Sequence, residues 1–561
     1  MNISGAEAVV RSLMAENVDT IFGYPGGAIM PVYDALYDFQ DELKHILTRH
    51  EQGAVHAAQG YARVSGKVGV CIATSGPGAT NLLTGIADAM IDSTPLVCIT
   101  GQVASHLLGT DAFQETDVVG ISMPVTKWNA QVTRAEDIAP VLAKAFYVAR
   151  SGRPGPVLVD ITKDAQFELF NFEYETCKKL FSYDPYPVID EAKVKEAADL
   201  INKAERPYVL VGQGVLLGDA VKELKAFVEK AGLPTASTIL GLSSLEVSHP
   251  LYVGMLGMHG NYGPNLLTNE CDVLVAVGMR FDDRVTGDLS RYAKQAKVIH
   301  LELDPSEIDK NVKADVPVLG DCKHSLTLLT KLVENRHHKD WLARFKYCDQ
   351  KEYNRVIKNE LLSSRDELNM AEVIHRLSEL TKGEAVLVTD VGQHQMIAQR
   401  YYRFSDHRTN VTSGGLGTMG FCLPAAIGAK LARPDKLVLA VMGDGGFQMT
   451  PQELGTIMQT GVDLKVLILN NEFLGMVRQW QELFFDKRYS FTEMQNPNFQ
   501  KLAEAYGIKT AKVSSRDCLD EILKQFINHK GSFVLEVRVG REQNVFPMVS
   551  TGSSVAEVRL D

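Results

Sequence analysis

Short apolar segments alternate with helical patterns in three successive blocks of the 561-residue chain, and this alternation constrains the fold more than any other feature. Apolar runs bounded by turn residues predict buried strands, and strands separated by helices predict parallel sheets covered on both faces. The predicted strands are 20–24, 45–48, 68–74, 96–100 and 156–161, then 208–211, 273–277 and 298–303, then 385–389, 437–442, 464–469 and 532–537. We therefore predict an α/β fold of three doubly wound domains with mainly parallel sheets.

Two polar stretches separate the three blocks. The first, 166–190, is aromatic, charged and contains proline, which is typical of a linker. The second, 334–365, is rich in lysine and arginine and is predicted to be helix plus linker. The predicted domains are therefore 1–165, 190–335 and 366–545, followed by an irregular tail, 546–561.

Composition excludes several classes of partner. The net charge of -11 argues against nonspecific binding to nucleic acid or to an anionic membrane surface. The chain has no run of about 18 apolar residues and no signal peptide pattern, so we expect a cytoplasmic protein. The eight cysteines form no C-x-x-C pair and are expected to be small buried hydrophobes rather than zinc ligands.

One motif points to a metal and a diphosphate. Gly443-Asp444-Gly445-Gly446 follows a predicted strand, and Asn470-Asn471 follows the next strand, after one intervening helix. This crossover returns the chain to the same sheet edge, where ligands of parallel sheets bind, so Asp444 and Asn471 can meet over one ion. With the carbonyl oxygen of Phe473 they would offer the oxygen ligands that suit Mg²⁺, which commonly completes its octahedron with phosphates. A lone GDG is often only a turn, but GDG followed by NN across this unit is specific.

This pattern resembles the metal-binding motif of thiamine diphosphate enzymes. In that family a glutamate bonds a ring nitrogen of the cofactor's aminopyrimidine and so helps the thiazolium carbon to lose its proton. The resemblance assigns this role to Glu51, in Arg49–Ala54, and burial should raise the pKa of such a carboxyl group. The alternative is that Glu51 is only an acidic residue at the start of a helix, where the helix dipole favours it.

The resemblance also implies where the cofactor lies. In the family it sits between the first domain of one subunit and the third domain of another, so we expect a homodimer or homotetramer with active sites at subunit interfaces. Met419 is expected to prop the two cofactor rings into a bent shape, although methionine is more often ordinary core. The implied thiamine diphosphate contacts are Gly27, Glu51, Pro77, Asn81, Gln114, Val391, Gly392, Gln393, His394, Gly417, Met419, Gly443, Asp444, Gly445, Gly446, Asn471, Phe473, Leu474, Gly475, Met476 and Val477.

Longer segments narrow the resemblance. In family order, 22–28, 73–81, 109–115, 280–287 and 474–480 resemble the catalytic subunits of anabolic, FAD-containing acetohydroxyacid synthases. The segment 280–287 is similar to their flavin-binding stretch, and in this family the flavin does no net redox chemistry, so we expect structural FAD. Arginines beside glycines suit a pyrophosphate, and acids at strand ends suit ribose hydroxyls. The implied FAD contacts are Arg153, Gly212, Gly214, Thr238, Ile239, Met258, His259, Arg280, Asp282, Arg284, Glu302, Asp321 and Cys322.

The reaction implied by the resemblance is a carboligation that begins branched-chain amino-acid synthesis. Pyruvate is decarboxylated on thiamine diphosphate, and the hydroxyethyl group passes to a second pyruvate or to 2-ketobutyrate, which gives 2-acetolactate or 2-aceto-2-hydroxybutyrate. Arg284 is expected to hold a substrate carboxylate as a fork, and the flat face of Trp480 to favour the ethyl group of 2-ketobutyrate. The implied substrate contacts are Phe113, Lys163, Arg284, Met476 and Trp480. Gln114 and Lys127 are further catalytic candidates beside Glu51.

Three alternatives remain open at this point. The chain could be a pyruvate oxidase-like enzyme with working FAD, a simple decarboxylase, or a non-catalytic partner subunit. The presence of Glu51, Asp444 and Asn471 argues against the last of these. The family usually includes a small regulatory subunit, so such a partner is also open.

Overall fold

The computed structural model describes residues 1–362 and 366–561 and contains three six-stranded parallel sheets, one in each predicted block. Residues 363–365, the end of the second predicted linker, lie outside the described residues. The strands are β1 (Asn2–Ser4), β2 (Thr20–Gly23), β3 (Lys44–Leu47), β4 (Gly69–Ala73), β5 (Leu96–Gln102), β6 (Trp128–Val132), β7 (Pro156–Thr162), β8 (Leu169–Asn171), β9 (Pro207–Val211), β10 (Thr235–Ser237), β11 (Tyr252–Met255), β12 (Val273–Val277), β13 (Lys297–Glu302), β14 (Val316–Leu319), β15 (Val386–Thr389), β16 (Asn410–Thr412), β17 (Val438–Gly443), β18 (Lys465–Asn470), β19 (Lys509–Val513), β20 (Phe533–Arg538), β21 (Met548–Val549) and β22 (Val558–Arg559).

Helices connect and cover these strands. They are α1 (Gly5–Ala15), α2 (Met30–Leu36), α3 (Glu51–Ser65), α4 (Pro77–Ile91), α5 (Val118–Ser122), α6 (Ile138–Arg150), α7 (Lys163–Phe167), α8 (Glu191–Lys203), α9 (Gly214–Leu217), α10 (Val221–Ala231), α11 (Tyr262–Thr268), α12 (Asp283–Thr286), α13 (Cys322–Leu332), α14 (Lys339–Glu352), α15 (Lys358–Leu361), α16 (Met370–Thr381), α17 (Gln393–Tyr401), α18 (Cys422–Ala432), α19 (Asp444–Phe447), α20 (Leu454–Thr460), α21 (Gly475–Phe484), α22 (Phe499–Ala505) and α23 (Leu519–Asn528). Among the described residues, no helix combines the length and the apolar character that crossing a bilayer requires.

The strand orders locate the expected binding sites. The first and third sheets share one topology, β3-β2-β4-β5-β7-β6 and β16-β15-β17-β18-β20-β19, whereas the central sheet runs β11-β10-β9-β12-β13-β14. The central order is that of dinucleotide-binding domains, and ligands of such sheets bind beyond the carboxyl ends of the strands where the order reverses. The three reversal points lie between β2 and β4, between β9 and β12, and between β15 and β17. The predicted fold class is confirmed.

Each sheet is buried on both faces, as the apolar sequence of its inner strands requires. In β12 all five residues are buried, and in β4 Val70 and Ile72 join one apolar cluster while Cys71 and Ala73 join another. The central and third sheets likewise separate two clusters of buried apolar side chains. This double burial explains why continuous apolar runs, rather than alternating ones, marked these strands.

Two helices join the first and third domains of the chain. In α3 and α18, a Cβ added to Gly60 would overlap the carbonyl oxygen of Ala425, and one added to Gly428 would overlap the carbonyl oxygen of Ala57. The helix backbones therefore approach as closely as glycine permits. This contact fixes the orientation of α3, whose first residue is Glu51.

Several strands were missed by the sequence prediction. They are β1, β6, β8, β10, β11, β14 and β19, together with the tail pair β21 and β22. Most lie at sheet edges or have only two or three residues, so their sequences lack the apolar run that marks an inner strand. Two predictions were therefore partly wrong: the first linker contributes β8, which pairs with β1, and the tail is not irregular throughout, because Met548 pairs with Arg559.

Candidate functional site

Asp444 and Asn471 follow two neighbouring strands of the third sheet, since Gly443 of β17 pairs with Leu469 of β18. The Asp444 side chain belongs to a residue only 1% exposed, and its Oδ2 accepts a hydrogen bond of 2.6 Å from the Asn496 amide. Oδ1 has no hydrogen-bond partner in the described structure. Burial raises the pKa of Asp444 to about 6, against the lowering effect of Asn496. A buried carboxylate oxygen without a partner is costly unless a cation meets it, so this position fits a metal ligand.

The loop after β18 presents further oxygen atoms. Oδ1 of Asn471 accepts from the backbone N–H of Phe473 at 3.3 Å, and its Nδ2 donates to Oε1 of Gln393 at 3.4 Å. Glu472, between Asn471 and Phe473 in the sequence, has a left-handed φ of 59°. Within residues 1–362 and 366–561, no group of three His, Cys, Asp or Glu side chains could hold a metal. A cation at Asp444 would therefore need amide, carbonyl and ligand oxygens, which suits Mg²⁺ with a diphosphate.

Glycines shape the space around Asp444. A Cβ on Gly443 would lie 2.8 Å from Nδ1 of His394, and one on Gly445 would lie 2.8 Å from Leu474 and 3.8 Å from Cε of Met419. His394 is buried, its Nε2 has no partner among the described residues, and burial lowers its pKa to about 3, which keeps the ring neutral. The structure thus gathers the predicted contacts of the third domain at one sheet edge.

Two residues at this edge were missed by the sequence analysis. Asp390, directly after β15, is buried and accepts hydrogen bonds from the N–H groups of Val391, Gly420 and Cys422. Burial raises the pKa of Asp390 to about 6, although these N–H groups oppose the shift. An acid at the end of a predicted strand was a usable signal for Asp390. Asn496 carried no such signal, because it lies in an irregular segment.

The first domain supplies a second group of predicted residues. Glu51 begins α3, is 9% exposed, and its Oε2 accepts a 2.9 Å hydrogen bond from Asn81 of α4. The ring of His50 caps α3 by accepting from the Gln52 N–H at 3.1 Å. Asn81 thus bonds one of the two oxygens of Glu51, Oε2.

The surroundings of Glu51 include other predicted contacts. Pro77 begins α4, and a Cβ on the next residue, Gly78, would lie 3.4 Å from Oε1 of Glu51. Gln114, with a left-handed φ of 60°, packs against Gly76, directly before Pro77. Apart from its chain neighbours, none of the described residues comes within 4 Å of a Cβ added to Gly27. This end of the first sheet thus combines a buried carboxylate with glycines at Gly27 and Gly78.

These two groups of residues lie on different sheets of the chain. In the described structure, no hydrogen bond or ion pair joins Glu51 or Asn81 to Asp444, Asn471 or His394. Each group lies at the carboxyl edge of its own sheet. That both groups build one site at a subunit interface stays a prediction.

A cavity of about 860 Å³ opens at the reversal point of the central sheet. Its volume lies within the range of about 300–1,000 Å³ typical of small-molecule and cofactor sites. It is lined by all the predicted FAD contacts, namely Arg153, Gly212, Gly214, Thr238, Ile239, Met258, His259, Arg280, Asp282, Arg284, Glu302, Asp321 and Cys322. Val391, Gly417, Met476 and Trp480 of the third domain line the same cavity.

The chemistry of this cavity fits a dinucleotide. A Cβ on Gly214 would lie 2.6 Å from Cα of Gly278, so the turns after β9 and β12 touch backbone to backbone. Burial raises the pKa of Glu302, at the end of β13, to about 7, against the N–H groups of Asp304 and Leu303. His259 is buried with no partner for either ring nitrogen among the described residues. Close backbones, partly buried acids at strand ends and unpaired polar atoms all favour a ligand with phosphates and hydroxyls.

Of the five predicted substrate contacts, the structure brings three together. Arg284, Met476 and Trp480 line the cavity, and Trp480 packs against Phe484 with ring centroids 5.1 Å apart. Phe113 is 88% exposed, and Lys163 begins α7; neither lines the cavity. The tail also reaches this place, because Nη1 of Arg284 donates to Oγ1 of Thr551 at 3.4 Å.

Lys127 lies away from the cavity. Its ammonium donates to the carbonyl oxygens of Val148 and Ser151 at 2.6 and 2.8 Å and to the Tyr183 hydroxyl at 3.3 Å. Burial lowers the pKa of Lys127 to about 8. The cation satisfies carbonyl groups at the carboxyl end of α6, an arrangement that indicates a structural role.

Three domain families match the chain in succession. They are the N-terminal TPP binding domain of thiamine pyrophosphate enzymes over residues 3–121, the central domain over 194–329, and the C-terminal TPP binding domain over 390–537.

The chain is also similar over nearly its whole length to curated proteins. It is 45% identical to the acetolactate synthase isozyme 2 large subunit of Escherichia coli, over 99% of both chains. It is 44% identical to the acetolactate synthase large subunit of Lactococcus lactis, over 98% of this chain and 95% of that one. Identity to the probable acetolactate synthase large subunit of Methanocaldococcus jannaschii is 43%, over 99% and 95%.

Proposed function

The chain belongs to the thiamine pyrophosphate enzymes and, within them, to the acetolactate synthase large subunits, and on this basis we propose which of its residues bind the cofactors and the substrates. The protein is an acetolactate synthase, a transferase that uses thiamine diphosphate. We propose that its donor substrate is pyruvate and that its acceptor is a second pyruvate or 2-ketobutyrate.

The observation that carries this assignment is one cavity to which the central and third domains both contribute, with Arg153 of the first domain in its wall. Arg284 of the central domain and Met476 and Trp480 of the third domain line it together with Val391 and Gly417, which lie beside the Asp444 edge. A carboligase must hold a second 2-keto acid next to the reacting centre. The guanidinium of Arg284 can bind the carboxylate of this acceptor, and the indole ring of Trp480 can pack against its short alkyl group.

Asp444, Asn471 and the carbonyl group of Phe473 are proposed to hold Mg²⁺, which would tie the diphosphate to the third domain. The unpartnered Oδ1 of Asp444 supports this role. When bound, thiamine diphosphate supplies an electron sink for decarboxylation. Glu51 is proposed to share a proton, through Oε1, with the aminopyrimidine ring, while Asn81 orients the carboxyl group through Oε2. His394, kept neutral by burial, is proposed to contact the diphosphate side.

We propose that the central cavity holds FAD in a structural role. The dinucleotide-type strand order, the backbone contact between Gly214 and Gly278, and the partly buried Glu302 support this ligand. The cavity wall also contains Arg153, whose Nη1 pairs with Glu307 at 2.8 Å. The flavin would thus join the central domain to the segment that carries Gly417.

The assembly is proposed to be at least a homodimer, because Glu51 and Asp444 lie at the edges of different sheets and the resemblance places the cofactor between two subunits. Phe113, exposed in one chain, is then proposed to meet the site of a second chain. The relatives are named large subunits, so a small subunit is a proposed partner. We further propose that the protein acts in the cytoplasm.

The test of function is anaerobic turnover with pyruvate, thiamine diphosphate, Mg²⁺ and FAD. We expect acetolactate as the main product at an unchanged rate with and without oxygen, since the proposed flavin takes no electrons. Colorimetric acetoin after acid decarboxylation measures acetolactate, and an oxygen electrode measures uptake. Stoichiometric oxygen consumption would instead support a pyruvate oxidase, and acetaldehyde as the main product a simple decarboxylase.

The FAD proposal predicts a loss of flavin affinity in Glu302→Gln. The Glu302 carboxylate is proposed to accept hydrogen bonds from the ribose hydroxyls of FAD. Its replacement should weaken FAD binding about tenfold, as expected when a hydrogen bond to a charged group is lost. Flavin fluorescence during titration of the apoprotein measures this affinity. Glu229→Gln, the same change in the same domain but bonded to His249 outside the cavity, serves as the control. Equal FAD affinity in both variants and the wild type would contradict the proposed contact between Glu302 and FAD.

A further inference from the structure

Two buried aspartates of the first domain hold a glycine-rich segment of the third domain, defined here as residues 413–420. Oδ2 of Asp92 accepts from the Gly414 N–H at 2.9 Å, and its Oδ1 accepts from the Gly415 N–H at 2.7 Å. Oδ1 of Asp88, one turn earlier on α4, accepts from the Thr418 hydroxyl at 3.0 Å. Both carboxylates are buried, with exposed fractions of 0% and 1%.

Ser413 completes this contact. Its hydroxyl donates to Oδ1 of Asp88 in a short hydrogen bond and accepts from the Thr418 N–H at 2.8 Å. Asp88 therefore holds both sides of a turn, through Ser413 and through Thr418. At the end of the segment, Asp390 accepts from the Gly420 N–H at 3.0 Å. The segment is fixed at both ends by buried carboxylates.

One guanidinium, that of Arg63, lies near both aspartates. Nη2 of Arg63, on α3, lies 2.9 Å from Asp92 but 4.0 Å from Asp88, and its Nη1 donates to the Thr412 carbonyl oxygen at 2.5 Å. Oδ2 of Asp88 has no hydrogen-bond partner in the described structure. Burial raises the pKa of Asp92, opposed by Arg63 and reinforced by Asp88.

Such an arrangement is hard to explain by stability alone. Two buried carboxylates with one guanidinium leave an excess charge in a poorly hydrated place, and apolar replacements of buried ion pairs are often neutral or stabilising. What the network does achieve is a defined conformation for a segment in which Gly417 and Gly420 have positive φ angles of 71° and 84°. Without those bonds, the segment would have considerable backbone freedom.

The position of this segment matters for the reaction. Residues 413–417 line the cavity shared with the substrate contacts, and Met419 packs towards Gly445, next to Asp444. The helix that carries Asp88 and ends just before Asp92 also carries Asn81, which bonds Glu51. One rigid helix therefore holds both the glycine-rich segment and the partner of the activating carboxylate.

We propose that Asp88 and Asp92 are positioning residues that hold the glycine-rich segment in the conformation that receives thiamine diphosphate. This inference rests on the proposed function, in which Gly417 and Met419 contact the cofactor. The aspartates act through the segment and do not touch the cofactor themselves. Replacing either carboxylate should therefore increase the mobility of the glycine-rich segment in the apoprotein. Cofactor binding should weaken for the same reason, because the backbone of this segment would no longer be held in place.

The test compares full-length Asp88→Asn with Asp160→Asn. Asp160 is the matched control, because it is also buried in the first domain and also accepts from a threonine hydroxyl, at 2.6 Å from Thr100, but does not contact the glycine-rich segment. Hydrogen exchange of the apoprotein reports amides 414–418, and titration of Mg²⁺-loaded protein with thiamine diphosphate reports the binding constant. For Asp88→Asn we expect about tenfold faster exchange in the segment and about tenfold weaker cofactor binding, as expected for a lost hydrogen bond to a charged group. For Asp160→Asn we expect neither change, even where the melting temperature falls.

A second variant guards against misfolding of the first. Ser413→Ala removes the hydroxyl that joins Asp88 to Thr418 and should give the same two effects at smaller size, and the double variant should be less than additive. Unchanged exchange in both variants, or equal weakening of cofactor binding by Asp160→Asn, would overturn the proposal. Failure of the proposed function would look different: the wild type itself would neither bind thiamine diphosphate nor form acetolactate, whatever the exchange of the segment.

Discussion

Glu51→Gln is expected to lower the turnover number for acetolactate formation by about 100- to 10,000-fold, the range typical for loss of a general acid–base group. In the wild type, Asn81 donates a hydrogen bond of 2.9 Å to Oε2 of Glu51. Glutamine keeps the size of the side chain and an oxygen that can accept this hydrogen bond. It cannot share a proton with a ring nitrogen. Cofactor binding should therefore change little, and the loss should appear in turnover rather than in the binding constant for thiamine diphosphate.

Glu7→Gln is the matched control for Glu51→Gln. Glu7 also lies in the first turn of a helix, α1, and is paired with Arg11 at 2.7 Å, away from the site. If Glu51 were only a favourable helix-terminal acid, both variants would lose a few tenths to about 1 kcal/mol of stability and keep their activity. Near wild-type turnover in Glu51→Gln would contradict the proposed role, and thiamine diphosphate titrations of both variants would show whether a loss arose from binding instead.

The parts of the site that could be predicted are those fixed by short stretches of chain. Asp444 and Asn471 are joined by one helix–strand unit, so apolar strands and a crossover sufficed to place them at neighbouring strand ends. The cavity contacts followed from family resemblance, and all of them line one cavity because the central sheet has the strand order of dinucleotide-binding domains. Local pattern and resemblance agreed on these residues.

The remaining contacts depend on packing between distant segments. Asp88 and Ser413 are 325 residues apart, and nothing in either sequence neighbourhood indicates that α4 meets the glycine-rich segment. Their contact follows from the close crossing of α3 and α18, which is set by Gly60 and Gly428. Edge strands such as β19 were missed for a related reason, since their partners, rather than their own side chains, make them strands.

Asp444→Asn is expected to separate stability from function. Asparagine removes the charge of the proposed metal ligand, so the Mg²⁺ concentration for half-maximal activation should rise about 100-fold or more, beyond the losses typical of residues that only support a ligand. The apoprotein should be as stable as the wild type or more stable. In the metal-free protein, Asp444 keeps an oxygen buried without a partner, and asparagine relieves that charge while retaining an oxygen for the Asn496 amide.

Asp390→Asn is the contrasting variant, because the two aspartates follow adjacent strands and are equally buried. The Asp390 carboxylate accepts hydrogen bonds from the N–H groups of Val391, Gly420 and Cys422, and an amide cannot accept all of them without turning an N–H group towards a donor. Asp390→Asn should therefore lower the unfolding free energy of the apoprotein by about 1–3 kcal/mol, the cost of leaving buried groups unpaired. Calorimetry of both metal-free variants decides the matter. Asp444 would be a structural residue if Asp444→Asn destabilised the apoprotein as much as Asp390→Asn and left Mg²⁺ activation unchanged. A metal ligand should lose no stability in the metal-free protein when its charge is removed, whereas a carboxylate that already accepts hydrogen bonds should lose stability.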